Sequence, residues 1–150
     1  MSSAEARTKR RQIRDTYVLD EQIGFLLRLA TQRHLAIFTR HMPGSLTPTQ
    51  FAALIRLYQL GPCSQNLLGR RSAMDAATVK GVIDRLRQRG LIEDEADEND
   101  GRLTVIHLTP KGRALVADAV FAAETITAET LHPLSPREQT SLLELLAKLC

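Results

Sequence analysis

Three groups of residues carry chemistry that can be read from type and spacing alone. The first is Asp97-Glu98-Asn99-Asp100-Gly101-Arg102, followed closely by Leu108-Thr109-Pro110-Lys111-Gly112. Six of the eight residues from Glu93 to Asp100 are acidic, and Arg102 then stands as a lone cation. Asp100, two residues before it, can hold the guanidinium in a fixed fork through charge-assisted hydrogen bonds. A surface salt bridge in a turn is the plainer reading of the same pair. The second group is basic: Arg70, Arg71, Lys80, Arg85, Arg87 and Arg89, with a further run at Arg7, Lys9, Arg10, Arg11 and Arg14. In a chain of net charge +3, such patches point to a polyanion partner, with solvated helix faces as the alternative. The third is Arg33 and His34, which interrupt an apolar helical stripe, with Phe38 and His41 one and two helical turns on. A guanidinium or imidazolium beside aromatic rings suits a planar carboxylate; a satisfied core histidine and a salt bridge are the alternative.

Other chemistry has little support. There is no Gly-rich phosphate loop, no Gly-x-Ser-x-Gly and no metal motif, so neither an enzyme nor a cofactor is expected. His34 and His41 are too far apart to chelate an ion alone, and His107 and His132 lie elsewhere. Cys63 and Cys150 make neither a disulfide framework nor a metal spacing. No apolar run approaches the ~20 residues of a membrane span, and the start lacks an apolar signal core. A cytoplasmic protein with no membrane partner is expected. Redox sensing stays open at one point: Cys63 follows Gly61-Pro62, where a nearby helix N-terminus could lower its pKa.

The elements that must position these groups follow from periodicity and punctuation. Residues 1–16 read as a basic polar arm, mobile at its tip. Leu19, Ile23, Leu26, Ala30, Ile37 and His41 give a helical stripe from Tyr17 to His41, broken in its middle by Arg33 and His34. Met42-Pro43-Gly44 ends it. Thr47, Pro48 and Gln50 combine an N-cap, a first-position proline and a capping-box glutamine. Ser64 caps a short helix over "QNLLGRR", and Asp75 caps the next, "AATVKGVIDRLRQRG", which turns Val79, Val82, Ile83 and Leu86 inward and stops at Gly90. "LIEDEA" and "LTVIHLT" are two short strands joined by "DENDG". Thr109-Pro110 opens a helix to about Leu131, and Ser135-Pro136 with Glu138 opens the last. A short helix, tight turn, second helix and two-stranded ribbon make a winged helix-turn-helix, so the fold class is mainly α with a small β-hairpin wing.

This order resembles the MarR family of bacterial transcriptional regulators over about Tyr17 to Leu149. "LTPTQFAAL", "DAATVKGVIDRLRQRGLI" and "DENDGRLTVIHLTPKGRAL" carry the likeness. The family wing reads Asp-Pro-x-Asp-x-Arg, then a strand, then Leu-Thr-x-x-Gly; here only the proline is replaced, by Glu98. The resemblance implies an obligate homodimer, with 17–46 and 110–150 as its helical dimerisation region and 47–109 as the DNA-binding domain. The apolar content of the terminal helices agrees, because it exceeds what one small domain can hide. The implied partner is a near-palindromic double-stranded operator. Ala76, Ala77, Thr78, Lys80 and Gly81 would face its bases, with the alanines small enough for thymine methyls. Arg85 and Arg89 would reach phosphates, Ser64 and Gln65 would lie near the backbone, and Arg102, aimed by Asp100, would enter the minor groove.

Family members commonly answer to small aromatic acids, in a cavity beside the dimerisation helices that Arg33, His34, Phe38, His41, Phe51 and Arg56 would border. "QIGFLLRLATQRHLAIF" and "LTPTQFAAL" through "GPCSQNLLGR" are similar to the branch that represses nicotinic acid degradation, whose inducer is a hydroxylated nicotinate such as 6-hydroxynicotinate. The expected function is therefore a repressor released by an aromatic carboxylate. A ligand-independent or redox-sensing regulator, or a small helical enzyme acting on an aromatic acid, are the rivals.

Overall fold

The computed structural model describes residues 3–150, with the side chains of residues 10–15 left outside the description. It divides into two units, Met1–Leu35 and Ala36–Cys150. In the first, Ser3–Thr16 is a helix, α1, rather than an irregular arm. Alanine, glutamate, arginine and lysine are strong helix formers, and a polar run of them needs no apolar stripe to coil. The expected mobile tip at residues 1–2 lies outside the described residues. A 3-10 turn, Leu19–Glu21, separates α1 from α2 (Ile23–His41). The second helix thus begins later than the Tyr17 expected from its stripe. Its last residues, from Ala36, belong to the second unit.

In the second unit the local signals act where they stand. The turn Pro43–Ser45 holds Gly44 at φ 66°. Thr47 caps α3 (Pro48–Leu60) and accepts from Gln50 N–H, while the Gln50 side chain accepts from Thr47 N–H at 3.2 Å. Ser64 caps α4 (Gln65–Arg71) through Leu67 N–H, and Asp75 caps α5 (Ala76–Gln88) through Thr78 N–H at 2.7 Å. Val79, Val82, Ile83 and Leu86 are buried, as their spacing demands, and Gly90 takes φ 69°. Gly69 lets α4 and α5 close, since a Cβ there would stand 3.1 Å from Val79 Cγ1.

Strands β1 (Ile92–Ala96) and β2 (Thr104–Leu108) pair antiparallel, from Ile92 opposite Leu108 to Ala96 opposite Thr104. A third piece joins them. Cys63 exchanges both backbone bonds with Ile106, at 3.1 and 2.8 Å. This bridge seats the ribbon on the segment before α4. Thr109 then caps α6 (Pro110–Leu131), and Ser135 with Glu138 forms the capping box of α7 (Pro136–Ala147). The core of the unit is Leu54, Leu57, Leu68, Ile83, Leu86, Leu91 and Ile92, all but fully buried. In contrast, α7 buries no residue, and on α6 Val120 is 43% and Phe121 77% exposed.

Candidate functional site

In the second unit α4, α5 and the turn between β1 and β2 carry the residues expected to meet DNA. Helix α5 is apolar on one side and leaves Ala76, Ala77, Thr78 and Lys80 exposed near its N-terminus. Asp75 fixes that end, and its carboxyl lies below the usual range because Thr78 N–H donates to the charged form. Gly81 is half-buried, and a Cβ built on it would meet nothing closer than Arg85 Nη1 at 3.8 Å. Packing within the chain therefore does not require a glycine there; the open space faces outward. Arg85 is exposed, as is Ser64, while Gln65 is half-buried. Lys80 pairs with Asp84 at 2.7 Å on the exposed face, a contact that solvent screens.

Two arginines at the far end of α5 are spent internally. Arg87 bridges Asp84 at 2.9 Å and Asp94 of β1 at 3.1 Å. These bonds raise its pKa, with Asp94 the larger cause, and they tie α5 to the ribbon. Arg89 donates to the Gly44 carbonyl and, at 3.4 Å, to Gln50 Oε1. It is half-buried and does not stand out toward solvent as a phosphate contact would.

The acidic run acquires separate duties from strand alternation. Asp94 faces Arg87. On the other face, Glu93 and Glu95 flank the His107 ring at 3.7 and 3.5 Å. Asp97 accepts from the N–H groups of Asn99 and Asp100, at 2.7 and 3.0 Å. Asp100 accepts at 3.1 Å from the backbone N–H of Arg102, not from its guanidinium. The expected fork is thus corrected. Asp100 shapes the turn that carries Arg102, and no ion pair holds the Arg102 side chain among the described residues. Leu103 beside it is also exposed.

The six residues expected to read a carboxylate are divided between the units, Arg33 and His34 in the first and Phe38, His41, Phe51 and Arg56 in the second. Phe38 is buried and meets Phe51 edge-on, with ring centroids 6.0 Å apart. His41 already has a carboxylate: Glu129 of α6 lies 2.5 Å from its Nε2 and 2.6 Å from Arg40 Nη1. The His41 hydrogen bond, with Arg40 beside it, holds the Glu129 carboxyl below its ordinary range. Arg56 is exposed and donates to Gln59 at 3.1 Å. Arg33 is exposed and His34 half-buried, both within the first unit. A groove of about 660 Å³ is lined by residues of α3 and α6, with Gln139 of α7. Phe51, Ile55, Val120 and Leu131 make it apolar, while Gln59, Glu124 and Thr127 supply polar atoms. Of these only Phe51 was expected. The signal for the others was present in Glu124 and Thr127, which interrupt the apolar pattern of α6 one turn apart.

The thiol of Cys63 is buried, and burial pushes its pKa up. That opposes the lowering that a helix N-terminus would give. No described helix is long and apolar enough to cross a membrane.

Residues 46–104 match the MarR family. Over 134 residues, 89% of this chain and 85% of the relative, the chain is 37% identical to the HTH-type transcriptional repressor NicR of Pseudomonas putida. The crystal structure of a probable transcriptional regulator from Pseudomonas aeruginosa is 52% identical with a TM-score of 0.86, covering 89% of this chain and all of that one. BpsR of Bordetella bronchiseptica, whose DNA binding is regulated by 6-hydroxynicotinic acid, is 44% identical with a TM-score of 0.82, over 89% of this chain and 96% of its own.

Proposed function

Since this chain belongs to the MarR family, whose members are transcriptional regulators and not enzymes, we propose that it is a repressor that binds a near-palindromic DNA operator as a homodimer and lets go when a hydroxynicotinate-like acid binds. The observation that carries the DNA half is the N-terminal face of α5. Ala76, Ala77, Thr78 and Lys80 are outward there, on a helix whose other side is locked into the core. Gly81 and Arg85 continue this face, Ser64 and Gln65 lie at the start of α4, and Arg102 with Asp100 forms the wing tip. Base edges would be read by the first turns of α5, and phosphates and the minor groove by Arg85 and Arg102. Residues 47–109 are the DNA-binding module in this reading.

A homodimer is supported by what each unit leaves uncovered. Ile23 and Leu26 are exposed in the first unit, and Leu143 and Leu149, at 54% and 72%, at the end of the second. Apolar groups on consecutive helical turns cost free energy in water, and a two-fold partner covers them reciprocally. Residues 17–46 and 110–150 are the dimerisation region in this proposal.

For the effector, the regulation of BpsR by 6-hydroxynicotinic acid supports a pyridine carboxylate. The groove lined by Phe51 offers apolar walls for a ring, and Arg56 stands near its rim through Gln59. Phe38 backs Phe51, and Arg33, His34 and His41 remain candidates. Release follows if the acid binds the non-operator conformation of the dimer more tightly than the operator-bound one. The test is a titration of operator-bound protein with nicotinate and its hydroxylated forms, read by fluorescence anisotropy of labelled DNA. Release by a hydroxynicotinate, with benzene lacking a carboxylate as an inert control, is expected. Retention of DNA with every planar acid would refute the effector class.

A further inference from the structure

Helix α5 reads DNA with its N-terminal end in the proposed function, so something must hold its other end. The bonds that do so converge on Arg89, the residue that closes the helix. Its guanidinium donates to the Gly44 carbonyl, in the turn between α2 and α3, and to Gln50 Oε1 at 3.4 Å. Gln50 is the one buried polar side chain among the described residues, and the same Oε1 accepts Thr47 N–H at 3.2 Å. The carbonyl of Arg89 in turn accepts from Lys111 Nζ of α6 at 2.9 Å. One residue therefore binds α5 to the turn before α3 and to the first turn of α6.

We propose that Arg89 is a positioning residue: it sets the angle at which α5 presents Ala76, Ala77 and Thr78, and it makes no phosphate contact. This inference rests on the DNA-binding reading above. Thr78 lies eleven residues from Arg89, about 16 Å along the helix. A tilt of about 5° at the Arg89 end moves Thr78 by about 1.4 Å, more than a hydrogen bond to a base edge tolerates. The turn that Arg89 grips directly follows α2, with Gly44 three residues after His41 and its Glu129 carboxylate.

Phosphate contact and positioning differ in their salt dependence, because each neutralised phosphate contributes about 0.9 to the slope of log K against log[salt]. Operator binding is measured across salt for the wild type, Arg89→Ala, Arg89→Lys, Arg85→Ala, Gln50→Ala and the Arg89→Ala/Gln50→Ala double variant, with circular dichroism to check folding. For Arg89→Ala we expect about tenfold weaker binding at every salt concentration, with an unchanged slope. Arg89→Lys is expected to be as weak, because a point charge cannot make the forked pair of bonds. The double variant should be no weaker than Arg89→Ala alone. Arg85→Ala, the control, should lower the slope by about 0.9. A slope lowered by Arg89→Ala and restored with affinity by Arg89→Lys would overturn the proposal in favour of a phosphate contact. Wild-type protein that binds no DNA would instead bring down the DNA-binding reading on which the proposal stands.

Discussion

Arg102 carries a positive charge at the tip of a turn whose other charged side chains are acidic. Asp97 and Asp100 spend their carboxylates on backbone N–H groups of the turn, so they stiffen it without neutralising the arginine. A guanidinium held out in this way suits the enhanced negative potential of a narrow minor groove. Arg102→Ala is expected to weaken operator binding by about tenfold and to leave the oligomeric state and unfolding midpoint unchanged. Gel-shift titration and denaturation check the two halves, and unchanged affinity would remove the wing from the interface. At this scale, residues whose partners lie nearby in the chain were legible: Asp100 and Arg102 stood out together, although the contact proved to be with the backbone. Arg89 was not, because its partner Gly44 lies 45 residues away and nothing local marks the pair. The partners of Glu93, Asp94 and Glu95 lie on other elements, His107 on β2 for the two glutamates and Arg87 on α5 for Asp94, so nothing local marks them.

Elements were read well wherever a boundary has its own chemistry. The capping boxes at Thr47 and Ser135 and the caps at Ser64, Asp75 and Thr109 stand where the side chains predicted, because a cap is a bond between residues three apart. The bridge between Cys63 and Ile106 was not legible, since two residues of strand carry no periodicity. Nor was the helicity of Ser3–Thr16, which has propensity but no stripe. Gly112 belongs to this scale as well. A Cβ there would lie 2.0 Å from the Leu91 carbonyl oxygen, so the glycine sets how closely α6 passes the junction of α5 and β1. Backbone cannot give way as a flexible side chain can. Gly112→Ala is therefore expected to cost at least the ~1–3 kcal/mol typical of overpacking, read as a lower urea midpoint at unchanged slope. A midpoint within error of the wild type would mean that α6 can back away from Leu91 freely.

At the scale of the whole molecule, an outward α5, an arginine-tipped ribbon and uncovered apolar helices are the parts of the proposed two-fold DNA reader. The winged fold and the family were readable because element order, the wing pattern and its following Leu-Thr-x-x-Gly stretch agree over most of the chain. The groove between α3 and α6 was not, since its walls come from α3, α6 and α7, far apart in sequence. The most direct test of the central claim is to select duplexes from a random pool with the purified full chain and measure affinity for the winner from about 50 to 200 mM salt. The account predicts a near-palindrome with half-sites about one helical turn apart and an affinity that falls by about a thousandfold or more over that range. A pool without an enriched sequence, or binding that stays flat with salt, would contradict it.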